Sequence, residues 1–300
     1  MSGSIGLNVD PLNPAGRADP GLLRRLGFSW VRLVARSGVA GYVYDCRQAG
    51  LKVLTVLARE SFPDLRNTSY QAFIYAESLR PDAVQIGNEP DCEGPSSWTM
   101  SQEDYAELVY RCRAGVQVAS KSIPLVGAGL ASGQPDWWRT LADPPLPLDA
   151  LACHPYGKTA DEARSLIRAY KSISRLPTWV TEWNRPADEI AGFVSMLQQE
   201  AEVSCWFAAT NGMENGFGLL DAPEKLAAMK EALSMNVNIP ELDQLQRRIE
   251  LLEKQQALTV AVLKLIVQGR WTGEMPNAEA VLKAIDPNDT SWQAVPFARG

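Results

Sequence analysis

Histidine is almost absent from this chain: His154 is the only one in 300 residues. The five cysteines (Cys46, Cys92, Cys112, Cys153 and Cys205) are odd in number, scattered and never spaced Cys-x-x-Cys. Neither a disulfide framework nor a zinc centre is therefore indicated. We read the cysteines as reduced, mostly buried thiols and expect no metal and no cofactor. Basic charge is also short, with 29 Lys and Arg against 35 Asp and Glu and a formal net charge of -6. Phosphate recognition needs a basic face, so no nucleic-acid partner is expected. No apolar run approaches the ~20 residues of a membrane helix. The opening residues, Met-Ser-Gly-Ser-Ile-Gly-Leu, lack the basic-then-apolar order of a signal peptide. The reading is a chain with no membrane partner that starts in a cytoplasm. The full Gly-x-x-x-x-Gly-Lys-Ser/Thr phosphate loop does not occur. Gly127, Gly129 and Gly133 in "VGAGLASG" miss the Gly-x-Gly-x-x-Gly spacing, so a nicotinamide enzyme is not indicated either.

What is present is a steady alternation of short apolar runs with amphipathic stretches. The composition, 46% hydrophobic and 21% charged, is that of an ordinary globular chain able to bury a sizeable core. Strands are expected at 4–10, 29–35, 51–58, 83–90, 123–130, 150–156, 178–183 and 202–210, each followed by a helical segment. Asp19 before Pro20 and Ser101 before "QEDYAELV" are expected caps for the first and fourth helices. Eight strand-then-helix units in about 235 residues match a closed (β/α)8 TIM barrel, class α/β, better than an open doubly wound sheet. Nearly continuous apolar strands fit a parallel sheet covered on both faces.

That fold gives polar strand ends a meaning, because such barrels build their sites at the C-terminal ends of the strands. Strand 4 runs "AVQIGNEP" and ends on Asn88 and Glu89; strand 7 runs "TWVTEW" and delivers Glu182. Two carboxylates across one mouth can divide a reaction between them. One protonates a leaving oxygen while the other attacks the anomeric carbon or activates water. A general acid needs a carboxyl that holds its proton near neutrality, whereas its partner must stay ionised, which a neighbouring Arg favours.

Asn-Glu-Pro on strand 4 with Thr-Glu-Trp on strand 7 resembles the clan A glycoside hydrolases, the retaining (β/α)8 enzymes, over about residues 1–235. The resemblance implies that Glu89 is the acid/base and Glu182 the nucleophile, with Asn88 on the substrate 2-hydroxyl. It further implies that Arg32 of "SWVRLV" keeps the nucleophile ionised and that His154 and Tyr156 of "HPYG" ring it. Trp206 on strand 8 stands where that clan often places an aromatic platform for the sugar. Glu60, Asp91, Glu93, Asn184 and Glu214 fall near the expected mouth and receive no role. Carboxyl groups about 5–5.5 Å apart would fit retention, and roughly 6.5–9.5 Å inversion.

The chain changes character after residue 236. Leu242, Leu245, Ile249, Leu252, Gln256, Thr259, Leu263 and Ile266 recur at alternating steps of three and four, the a/d seam of a coiled coil. The expected organisation is a barrel over 1–236, an oligomerising helix over 237–269 and a tail or small module over 270–300. Self-association through 241–269, as dimer or trimer, is preferred over a helix folded back on the barrel. The expected function is retaining hydrolysis of a β-linked glycan or glycoside, with carbohydrate as partner. The alternative is a catalytically silent carbohydrate-binding or structural barrel on a stalk, such as a phage tail-associated protein, which would make the protein virion-associated rather than cytoplasmic.

Overall fold

The computed structural model describes residues 3–92, 98–141 and 145–234. The expected oligomerising helix (237–269), the tail (270–300) and Glu93 lie outside those residues. Eight parallel strands close into a barrel in sequence order, the last pairing with the first. They are β1 (Ser4–Asn8), β2 (Trp30–Val34), β3 (Lys52–Leu57), β4 (Ala83–Ile86), β5 (Leu125–Leu130), β6 (Ala150–Cys153), β7 (Thr178–Trp183) and β8 (Val203–Trp206). The helices around them are α1 (Pro20–Arg25), α2 (Ala40–Gln48), α3 (Thr68–Leu79), α4 (Gln102–Ala119), α5 (Asp136–Arg139), α6 (Ala160–Ser174), α7 (Ile190–Glu200) and α8 (Pro223–Ser234).

The helix starts obey local chemistry. The Asp19 carboxylate accepts the Leu22 N–H at 2.6 Å with Pro20 in the first turn, and the Ser101 hydroxyl accepts the Asp104 N–H at 3.1 Å. Thr159 and Glu162 close a reciprocal capping box at α6, and each such cap contributes on the order of 1 kcal/mol. The fifth unit departs from expectation, since α5 is a single turn of four residues. The run Pro144-Pro145-Leu146-Pro147 removes the N–H groups that a longer helix needs.

Side chains alternate between two layers. Trp30, Leu54, Ala83, Val126, Ala150, Ala152, Trp179, Val203 and Cys205 fill the barrel interior. The outward set, including Leu7, Val31, Ile86, Cys153, Val180, Trp183 and Trp206, packs with the helices in one continuous core. The cysteines are free, and all but Cys92 are buried. Burial pushes the Cys46, Cys153 and Cys205 thiols up to about 12, which keeps them inert.

Two bulges re-aim the strands at the mouth. Val126 and Gly129 of β5 pair with Ala150 and Ala152 of β6, so three steps on one strand face two on the other. The same mismatch separates Val180 and Trp183 of β7 from Ser204 and Trp206 of β8. An extra residue in one strand breaks the strict inward–outward alternation. In β7, Val180 and Trp183 both pack outward, while Thr181 and Glu182 between them both bond to residues of the mouth. No helix among the described residues is long and apolar enough to cross a membrane.

Candidate active site

Arg32 organises the upper layer of the barrel. It lies on the inner face of β2 and is only 5% exposed, so each guanidinium nitrogen must find a partner. All three do. Nε donates to the Gln85 side chain at 2.8 Å, Nη2 to Asn88 Oδ1 at 2.7 Å, and Nη1 to both Asn8 Oδ1 at 2.6 Å and Glu182 Oε1 at 2.7 Å. Asn8 is itself fixed, its amide donating to the backbone oxygens of Thr181 at 3.0 Å and Trp206 at 3.1 Å. Strands β1, β2, β4 and β7 thus meet in one hydrogen-bonded layer whose anion is Glu182.

The other oxygen of Glu182 accepts the Tyr156 hydroxyl at 3.0 Å. Burial, reinforced by the Glu182 charge, holds the Tyr156 phenol far above the ordinary tyrosine range, so it remains a donor at every working pH. Glu182 is 7% exposed and receives one charge-assisted bond and one neutral bond, one on each oxygen.

Glu89 has different company. Its Oε1 lies 2.8 Å from Nδ1 of His154, whose Nε2 is 3.0 Å from the Thr181 hydroxyl. With a carboxylate at Nδ1, the proton of a neutral imidazole belongs there, and Nε2 accepts from Thr181. A carboxylate oxygen of Glu89, a ring nitrogen of His154 and a carboxylate oxygen of Glu182 lie within 4.8 Å of one another. Among the described residues this is also the grouping whose donors converge closely enough for a metal. The Arg32 guanidinium, already against Glu182, suits a carboxylate pair better than a dication.

The backbone beneath Glu89 is unusual. Gly87 has φ +76 and Glu89 itself φ +47, the left-handed region that residues other than glycine rarely adopt. Such a residue costs about 1–3 kcal/mol and persists where its surroundings over-determine it. Its N–H donates to the Gly129 carbonyl at 3.0 Å. Gly129 serves His154 as well, because a Cβ built there would stand 2.0 Å from Nε2. Gly129→Ala is expected to cost about 1–3 kcal/mol through overpacking and to displace the imidazole. Chemical unfolding reads the first effect and the NMR signals of the chain's sole histidine read the second. An unchanged spectrum would show β5 yielding instead.

Six of the seven side chains singled out from sequence are therefore brought together: Arg32, Asn88, Glu89, His154, Tyr156 and Glu182. Trp206 is the exception and a correction. Its ring is 0% exposed, lies edge-on to Trp183 at 4.8 Å and sits beneath Lys225 of α8. Alternation along β8 turns it toward the helices. The half-buried rings on this side are Phe207, one residue later, and Phe217. With Tyr156 they form an edge-to-face chain, centroids 6.2 Å apart for Tyr156 and Phe217 and 5.7 Å for Phe207 and Phe217. Asn184 fixes both phenylalanines by donating to their backbone oxygens at 2.6 and 3.1 Å. Glu60 and Glu214 are exposed. Sequence reading also passed over Asn8, Gln85 and Thr181 as participants, although Gln85 is the lone polar side chain of β4.

Comparison with known proteins agrees with this architecture. The family model described as "Glycosyl hydrolase catalytic core" matches residues 66–220, just over half of the chain. That span includes Asn88, Glu89, His154, Tyr156 and Glu182. No curated protein matches the chain by sequence. Among solved structures, a family 51 α-L-arabinofuranosidase from Bifidobacterium longum superposes with a TM-score of 0.58 at 13% identity, covering 77% of this chain and 73% of its own. A GH128 (subgroup VII) oligosaccharide-binding protein from Trichoderma gamsii gives 0.55 at 17% identity, over 79% of this chain and 95% of its own. The Thermomonospora fusca β-mannanase, in complex with mannohexaose, gives 0.52 at 19% identity, over 75% and 82%. At these identities the likeness is one of fold.

Proposed function

The chain belongs to the family of glycosyl hydrolase catalytic cores, and from that premise we propose that it cleaves a β-linked glycan or glycoside with retention, using Glu182 as nucleophile and Glu89 as acid/base. The observation that carries this reading is the pair itself. Two glutamates, one just beyond β4 and one on β7, approach within 4.8 Å at their closest oxygens, with Arg32 bonded to one and His154 to the other. A separation of about 5–5.5 Å leaves room for a sugar carbon but not for an intervening water, whereas inversion needs roughly 6.5–9.5 Å.

In the first step Glu182 forms a bond to the anomeric carbon as the glycosidic bond breaks, and Glu89 gives its proton to the departing oxygen. In the second, Glu89 takes a proton from water as that water attacks the same carbon, and Glu182 leaves. Arg32 and Tyr156 bear on the first step by stabilising the Glu182 carboxylate in a fixed orientation. Asn88, held by Arg32, is the amide for the sugar 2-hydroxyl. The rings of Phe207, Phe217 and Tyr156 offer apolar faces and edges against which a pyranose can pack.

A second reading is favoured by one neighbour described as an oligosaccharide-binding protein: a barrel that holds carbohydrate without cleaving it. The paired carboxylates weigh against this, since binding alone gives no reason to keep two acids so close. Incubation with a panel of aryl β-glycosides and β-linked polysaccharides separates the readings. Turnover is expected, with the β-anomer as the first product seen by NMR. An α-anomer would overturn retention, and binding without turnover across the panel would favour the second reading.

A further inference from the structure

We propose that Asp91 is a positioning residue for Glu89, holding its carboxyl in the orientation that proton transfer requires. The inference rests on the reading of Glu89 as acid/base and concerns how that residue is kept in place.

Glu89 is in the left-handed region, so any relaxation of its backbone swings the carboxyl away from His154. On its N-terminal side it is secured by its own N–H on Gly129. Pro90 follows and has no N–H to give, and a residue before proline is itself restricted. The next side chain able to hold the segment is Asp91. Its Oδ1 accepts the Ala131 N–H at 3.0 Å, and its Oδ2 accepts the Ser132 N–H at 2.9 Å together with the Ser132 hydroxyl. That hydroxyl also accepts the Gln134 N–H at 3.1 Å, which braces the far side of the clamp.

Gly129, Ala131 and Ser132 are thus one jig at the end of β5. Gly129 grips the Glu89 backbone, Leu130 accepts the His154 N–H at 3.3 Å, and the next two residues grip Asp91. Charge-assisted bonds to backbone donors are strong and directional, and both donors belong to the segment that continues the bulged strand. Asp91 therefore fixes Glu89 relative to His154 without bonding to either side chain. A carboxylate is suited to this place because it presents two acceptor oxygens to two N–H groups. Asn offers only one such oxygen, and Ala none.

Asp91→Ala, Asp91→Asn and, in parallel, Glu89→Ala would be compared with the wild type on two aryl β-glycosides of the sugar that the wild type cleaves. A dinitrophenyl glycoside needs little protonation of its leaving group, and a phenyl glycoside needs much. For Asp91→Ala, kcat/KM is expected to fall about 10- to 100-fold on the phenyl glycoside and to change little on the dinitrophenyl one, as a misplaced acid requires. Asp91→Asn should recover part of the loss and supplies the test if the Ala variant does not fold. Equal losses on both glycosides, or none on either, would overturn the proposal while leaving Glu89 as acid/base, provided Glu89→Ala keeps its leaving-group dependence. If Glu89→Ala lacks that dependence, or the wild type cleaves no glycoside, the underlying assignment fails and the positioning role fails with it.

Discussion

Glu182→Gln is expected to lower kcat by at least about 10⁴-fold on every glycoside the protein cleaves, the scale of loss when a covalent nucleophile is removed from an otherwise intact site. Glutamine has nearly the size of glutamate and can still accept a hydrogen bond from Arg32 or Tyr156, which now bond one to each oxygen. The fold and the sugar affinity should therefore survive, and the defect should lie in kcat. What the amide cannot do is form the glycosyl ester. The assignment is sharpened by Glu182→Ala with azide. A vacated nucleophile position admits azide on the face opposite the leaving group, so an α-glycosyl azide is expected from a β-glycoside. Turnover by Glu182→Gln within tenfold of the wild type, or a β-azide from Glu182→Ala, would remove Glu182 from the role.

Much of this site was legible because barrel geometry ties chain position to place in space. The eight apolar runs placed Glu89 and Glu182 at strand ends, and the resemblance to the clan A enzymes pointed to Arg32. The rest depended on departures from regularity that composition does not encode. Strict alternation would send Glu182 and Thr181 to opposite faces; only the extra residue in β7 brings both to the mouth. Trp206 was misplaced for the converse reason. Regular alternation holds along β8, so the tryptophan goes outward. Gly129 is visible in the sequence merely as one glycine among several, and its function appears only when the His154 ring is seen occupying the space of its missing Cβ. Asp91 received no role, because its partners lie forty residues away on another strand end.

Glu89→Ala should divide the reaction both by leaving group and by step. Protonation of the leaving group is worth about 10²–10⁴-fold when the leaving group is poor and little when it departs readily as an anion. The variant is therefore expected to lose kcat/KM by that range on a phenyl or alkyl glycoside and to keep most of it on a dinitrophenyl glycoside. Its kcat on the latter should nevertheless be low, because the second step lacks a base to activate water. The covalent glycosyl-enzyme then accumulates and should appear in an intact-mass spectrum as one added sugar, located on Glu182 by peptide mapping. Azide, which needs no base, should restore kcat and give a β-glycosyl azide, opposite to the product from the Glu182 variant. A cost in stability is also expected, about 1–3 kcal/mol, because buried His154 Nδ1 loses its acceptor at 2.8 Å. A purely structural role for Glu89 would give that stability loss with equal damage on both glycosides, no trapped adduct and no response to azide, and that pattern would end the acid/base assignment.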